Sequence, residues 1–207
     1  MAKLQSFGKF GEVALTKTDQ IKFVGFVLAL LWGIELVDVL MRTFTPLTLD
    51  GLGIRPRSLG GLLGIPLAPL LHGGFGHLLS NTVPIAVLSV MVLLVGDFRQ
   101  YFHAVALSAL TAGVGSWIFG APRTVHIGAS GVVFGLVGYV IARGIASRQA
   151  KWIVLAVIVA IIYGGLLPTL LQFEAGVSWT GHAFGFVGGI WAGMLQGERP
   201  SRSSSAL

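Results

Sequence analysis

His126-Ile127-Gly128-Ala129-Ser130-Gly131-Val132-Val133-Phe134-Gly135 opens the most informative segment of the chain. A lone serine between small residues begins an apolar run that reaches Ala142 before the first charge, Arg143. A helix needs about 20 such residues to cross the roughly 30 Å of bilayer hydrocarbon. The stretch therefore reads as the mouth of a membrane helix, not as the strand-turn-helix of a soluble sheet.

Composition places the whole chain in the same setting. Of 207 residues, 54% are hydrophobic and only 11% charged, and the mean hydropathy is +0.84, well outside soluble-domain values. The formal charge of +6 is the pattern of basic residues flanking apolar spans, which orient a membrane protein, so no nucleic-acid partner is expected. Without cysteine there is no disulfide, thiolate chemistry or thiolate-bound metal.

The expected architecture is an all-α integral membrane bundle. Residues 1–22 are a polar cytoplasmic tail, 23–195 a six-span domain and 196–207 a disordered, Ser- and Arg-rich tail. The spans are read at 23–41, 77–95, 101–118, 130–146, 152–167 and 179–195. Between the first two lies a long loop in which Pro46, Pro56, Pro66 and Pro69 forbid one continuous helix although 59–71 is strongly apolar. Such a segment is expected as broken helices, partly embedded in the membrane. Glu35 and Asp38, on one face of the first span, are expected to meet water or Arg55 and Arg57.

Charge counting orients the bundle. With both termini inside, the inner segments hold Lys3, Lys9, Lys17, Lys22, Arg99, Arg143, Arg148, Lys151, Arg199 and Arg202, ten of the fourteen Lys and Arg. The second, fourth and sixth spans then all start at the outer surface. Their beginnings carry His77 and Asn81, Ser130, and His182, one shared layer of polar groups. Polar side chains in a membrane interior face a hydrated cavity or one another, so their coincidence points to a common site. Gly181, Gly185, Gly189 and Gly193 recur every four residues on the sixth span, and Gly131 and Gly135 repeat that spacing on the fourth. Small residues so spaced let membrane helices approach closely, which would set Ser130 beside His182.

Gly128-Ala129-Ser130-Gly131 also resembles the nucleophile turn of serine hydrolases, in which exposed backbone N–H groups hold an oxyanion. Taken with His72-Gly73-Gly74-Phe75-Gly76-His77-Leu78-Leu79-Ser80-Asn81 and Gly181-His182-Ala183-Phe184-Gly185 followed by Gly189, it resembles the signature blocks of rhomboid intramembrane serine proteases. The resemblance runs from the first loop through the sixth span. It implies a six-helix core that cleaves single-span transmembrane proteins near the outer surface, with a small residue before the cut. Ser130 would be the nucleophile and His182 the general base, forming a dyad. His77, Asn81 and the backbone N–H groups of Ser130 and Ala129 would be the oxyanion donors, with Phe134, His72, Gly128 and Gly131 in support and Gly135, Gly185 and Gly189 packing the helices. Residues 152–167 and the loop 168–178 would be gate and cap.

The chain departs from the family pattern twice. Phe134 stands where many relatives have tyrosine, and Arg55-Pro56-Arg57 occupies the first loop in place of a Trp-Arg pair. No third acid is evident, since Glu174 lies eight residues before His182 in a loop. The absence of His-Glu-x-x-His and the spacing of His72 and His77 argue against zinc, and neither cofactor nor metal is expected. His103 reads as an interface residue, and His126 sits near the serine with no required chemical role. Two other readings are a proteolytically silent rhomboid-like protein that binds membrane clients and a six-span transporter. Silent relatives usually lack the serine or histidine present here, and a transporter predicts internal repeats that the sequence lacks. A bacterial cytoplasmic membrane is the expected location, with the site open to the outer face. Substrate, oligomeric state and regulation are not encoded in any recognisable pattern.

Overall fold

Thr16 and Asp19 start the first long helix. The Thr16 hydroxyl accepts the Asp19 N–H at 3.2 Å while the Asp19 carboxylate accepts the Thr16 N–H, a reciprocal cap that satisfies two otherwise orphaned donors. The computed structural model, which describes residues 15–171 and 178–197, continues that helix as α1 (Lys17–Phe44). The cap draws 17–22 into the helix, so it begins before the expected residue 23. Residues 1–14 of the tail, the loop residue Glu174 and most of the 196–207 tail lie outside the described residues.

Beyond α1 follow α2 (Leu59–Leu62), α3 (Gly64–Leu67), α4 (Phe75–Val95), α5 (Phe98–Phe119), α6 (Ser130–Ser147), α7 (Ala150–Tyr163) and α8 (Trp179–Gly197). Single tight turns of 3-10 helix occupy Leu49–Leu52 and Ala68–Leu70, and Gly164–Leu171 continues α7 in that form around Pro168. Among the described residues there is no β-strand, only one antiparallel bridge between Ile54 and His126.

Five helices are long and apolar enough to cross a membrane: α1, α4, α5, α6 and the α7 segment through Leu170. Trp179–Gly197 is also long, but His182, Gln196 and six glycines dilute its hydropathy. The dilution matches its surroundings. α8 packs chiefly on α6 and α5, and within α6 72% of the span is buried against 17% for the α7 segment. By hydropathy and mutual packing the helices thus sort into a less apolar trio in contact with one another (α5, α6, α8) and a strongly apolar set (α1, α4, α7).

Glycine controls the α6–α8 contact. A Cβ on Gly185 would overlap the Gly131 carbonyl oxygen, and one on Gly189 the Gly135 carbonyl. The two backbones therefore touch along successive turns, as small-residue ridges allow.

The first loop is folded as broken helices lying on α5, with Ile65 against the bare face of Gly113. Arg57, in the left-handed region at φ 56°, donates through Nη1 to the Ile118 and Gly120 carbonyls at 2.9 Å each. Trp117 Nε1 returns a bond to the Ser58 carbonyl at 2.8 Å. A cation on the terminal carbonyls of a helix caps it and opposes its dipole. Arg55 instead donates to the Gly51 carbonyl at 2.9 Å.

Neither arginine meets Glu35 or Asp38. Those carboxylates are not in water either, being 1% and 2% exposed, and their partner is Arg42, at 3.1 and 3.0 Å. Arg42 lies seven and four residues further along the same helix, on the same face. It also reaches Asp50 at 3.6 Å, and the Asp38 carboxylate accepts the Thr48 hydroxyl at 3.0 Å. This cluster fastens the start of the first loop to α1. At the opposite end, Lys17 donates to the Leu93 and Gly96 carbonyls and Lys151 to Val95, so two cations cap α4.

Candidate active site

Ser130 is the first residue of α6, and Ala129 before it offers no side-chain cap. The Ala129 carbonyl accepts Val132 and Val133 N–H at 2.9 and 3.1 Å, so the turn is closed. Among the described residues the Ser130 and Gly131 N–H groups have no acceptor. An uncapped helix N-terminus presents free donors and the positive end of a dipole, an arrangement suited to an anion.

His182 stands in the first turn of α8. Its Nε2 lies 2.9 Å from Ser130 Oγ. The Phe134 ring, one turn below Ser130, lies against the imidazole with centroids 4.4 Å apart and planes inclined by 30°. Among the described residues no carboxylate hydrogen-bonds His182, and the backbone of Thr169 lies beside its ring.

His77, on the first turn of α4, reaches the same turn from the other side. Gly128 adopts φ 109°, which glycine enters freely, and a Cβ there would sit 2.8 Å from His77 Nε2. His77 Nδ1 accepts the Gly73 N–H at 3.4 Å. Its proton then belongs on Nε2, the nitrogen nearer the serine turn. Asn81 is buried one turn further along α4, where its amide donates to the His77 carbonyl at 2.9 Å. Among the described residues no hydrogen bond joins it to Ser130.

His72, only 1% exposed, accepts the Ala129 N–H at Nε2, 3.4 Å away, and meets the His77 ring edge-on at 5.2 Å. That N–H is thus directed at His72. Burial, helped by the neighbouring His77, lowers the His72 pKa to about 4, so the ring is neutral and able to accept.

Beside Ser130 a cavity of about 30 Å³ is lined by Ile54, Ile65, Ala112, Ser116, Gly181 and Ser178, among others. It holds about one water or a methyl-sized group. His126 lines the same cavity and joins Ser178 by a hydrogen bond of 2.6 Å. Sequence reading left it without a role, because its partner is 52 residues away and no local spacing announces it. His103 faces outward on α5, lining a shallow groove with Gln196. Among the described residues no group of three or more His, Cys, Asp or Glu converges as a metal would require.

Comparison with known proteins adds an independent line. Residues 60–199 match the family model of the Rhomboid domain. An uncharacterized protein of Mycobacterium bovis, Mb1372, is 38% identical over 188 residues, covering 86% of this chain and 75% of that protein. The uncharacterized Mycobacterium tuberculosis protein Rv1337 matches with the same figures. YdcA of Bacillus subtilis, named provisionally as a rhomboid protease, is 26% identical over 139 residues, covering 64% of this chain and 66% of YdcA.

Proposed function

This chain belongs to the rhomboid family, and on that premise we propose that it is an intramembrane serine endopeptidase that cuts single-span proteins in or near their transmembrane segments. The observation that carries the reading is the 2.9 Å contact between Ser130 Oγ and His182 Nε2 at the adjoining N-terminal ends of α6 and α8. A serine hydroxyl is a weak nucleophile until an adjacent imidazole takes its proton.

In the proposed reaction His182 Nε2 accepts the Ser130 proton as Oγ attacks the substrate carbonyl carbon. The tetrahedral oxyanion is held by the free Ser130 N–H at the uncapped end of α6 and by His77 Nε2–H. Asn81 joins them if its amide leaves the His77 carbonyl when substrate arrives. His182 then protonates the departing amine as the C–N bond breaks, leaving an ester on Ser130. Water, deprotonated by His182, attacks the ester and releases the new carboxyl end with the proton returned to Ser130. The cavity beside Ser130 is small, which favours a small residue before the cut. α7, which packs on α6, and the 3-10 segment after it, which borders α8, are the proposed gate. The location is a bacterial cytoplasmic membrane with both termini inside.

The test uses the full chain in detergent with a generic transmembrane substrate. Ser130→Ala and His182→Ala should each abolish cleavage and labelling by a fluorophosphonate, and undiminished cleavage in either variant sinks the dyad.

A further inference from the structure

Four residues before each member of the Ser130/His182 contact stands a second pair. His126 Nδ1 lies 2.6 Å from Ser178 Oγ. The Thr124 hydroxyl donates to the Ala121 carbonyl at 2.7 Å, so at 2.9 Å from His126 Nε2 it must accept, which puts the ring proton on Nε2. Nδ1 is then the acceptor and Ser178 the donor. The Ser178 oxygen remains free to take the Gly181 N–H at 3.2 Å, which makes Ser178 the N-cap of α8.

The His126 backbone is committed elsewhere. Its N–H donates to the Ile54 carbonyl at 2.9 Å, and its carbonyl accepts the Ile54 N–H at 3.0 Å. One residue thus ties three segments together: the first loop, the turn leading into α6, and the N-terminus of α8. The tie matters because α6 lacks a cap of its own. Beyond Ser130 the α6 and α8 backbones are locked by glycine contacts. Before Ser130, the His126–Ser178 bond joins this turn to the start of α8, while Thr180 reaches Ser116 on α5.

We propose that His126 and Ser178 act as a positioning pair that sets the separation and orientation of Ser130 and His182. The proposal rests on the dyad reading above. It makes His126 and Ser178 positioning residues, since neither touches the bond to be cut. Without the tie, the turn before α6 is still held to the first loop through Ile54 and Ala68 but loses its bond to the start of α8, and a misplacement approaching 1 Å costs up to about 100-fold in rate.

A double-mutant cycle tests it, using the full chain in detergent. kcat and KM for a transmembrane substrate, the rate of Ser130 labelling by a fluorophosphonate, and Tm are measured for His126→Ala, Ser178→Ala and the double variant. Each single change should lower kcat and labelling about tenfold, a larger effect than its change in KM, although both residues line the cavity beside Ser130. The double variant should be no worse than the poorer single, because the two act as a unit. His126→Asn, which returns a hydrogen-bonding group near the Nδ1 position, should recover most of the loss. If Ser178→Ala fails to fold, Ser178→Gly keeps an acceptable N-cap without the hydroxyl and should reproduce the loss.

Losses that multiply in the double variant, or singles indistinguishable from wild type, overturn the pair. A wild-type protein silent toward both substrate and probe overturns the dyad reading and the pair with it. Active wild type with unaffected variants overturns the pair alone.

Discussion

Gly185→Ala tests whether backbone contact between α6 and α8 holds the site together. The added methyl would overlap the Gly131 carbonyl oxygen, where separations under 3.0 Å are essentially never tolerated. The obstructing atoms are backbone, so no side chain can rotate aside, and the helices must part by about 1 Å. His182 sits three residues before Gly185 and Ser130 one before Gly131, so the displacement passes almost undiminished to the dyad. The 2.9 Å contact would open to nearly 4 Å, beyond hydrogen-bond reach. A shift of that size costs on the order of 100-fold in kcat, about 3 kcal/mol of barrier, alongside about 1–3 kcal/mol of stability from overpacking. The assay is cleavage of a transmembrane substrate in detergent, with Tm on the same samples. Two comparisons separate activity from stability. Gly193→Ala meets the Tyr139 carbonyl at 2.7 Å, deeper in the bundle, and should lower Tm with a smaller loss of kcat. Gly33→Ala on α1 meets nothing within 4 Å and should leave both unchanged or raise Tm slightly. Cleavage by Gly185→Ala within twofold of wild type would refute the reasoning.

Arg42→Ala strands two buried carboxylates and should cost about 3 kcal/mol, read as a fall in Tm, with Glu35→Gln in the same background recovering part of it. Arg57→Gly keeps the backbone at its positive φ but removes the cap on Ile118 and Gly120, and should cost about 1–2 kcal/mol by the same measurement. His72 predicts an acid response whose sign follows from its lowered pKa. Between pH 6.5 and about 4 the unfolded chain binds a proton that the folded chain does not, so stability falls as pH drops through that window. At full expression the loss is about 3 kcal/mol, and it levels off below pH 4. His72→Asn should flatten the decline in Tm relative to wild type, and an unchanged slope would show that His72 does not contribute.

Much of the helical order is legible in the sequence, because hydropathy reports each element separately. α4, α5 and α6 begin and end within about three residues of the expected limits, a normal margin for helix ends. α1 begins six residues early because a Thr-Asp cap outweighs the polarity of the turn it recruits. The glycine spacing on α6 and α8 reads as a contact because its period matches the helix. What escaped is whatever depends on distant partners. Arg42, not the loop arginines, neutralises Glu35 and Asp38, since a helix face offers a nearer partner than a loop does. Arg57 gains its role from the carbonyl end of α5, 61 and 63 residues away. His126 is silent until the chain brings Ser178 to it. At the dyad the residue types and their place at helix starts are visible beforehand, whereas Ala129 turning its N–H to His72 follows only from the fold.

The division of helices into a less apolar, mutually packed trio and a strongly apolar set has a consequence for biosynthesis. α6 and α8 carry Ser130 and His182, and α8 is the helix whose glycines and polar groups leave it least at home among acyl chains. Such a segment gains little from entering lipid alone and is stabilised by protein neighbours that are already inserted. Because α8 follows α5 and α6 in the chain, its docking comes only after both have left the ribosome. The nucleophile and its base are thus kept apart until the rest of the bundle is in place, so a half-made chain carries no finished dyad.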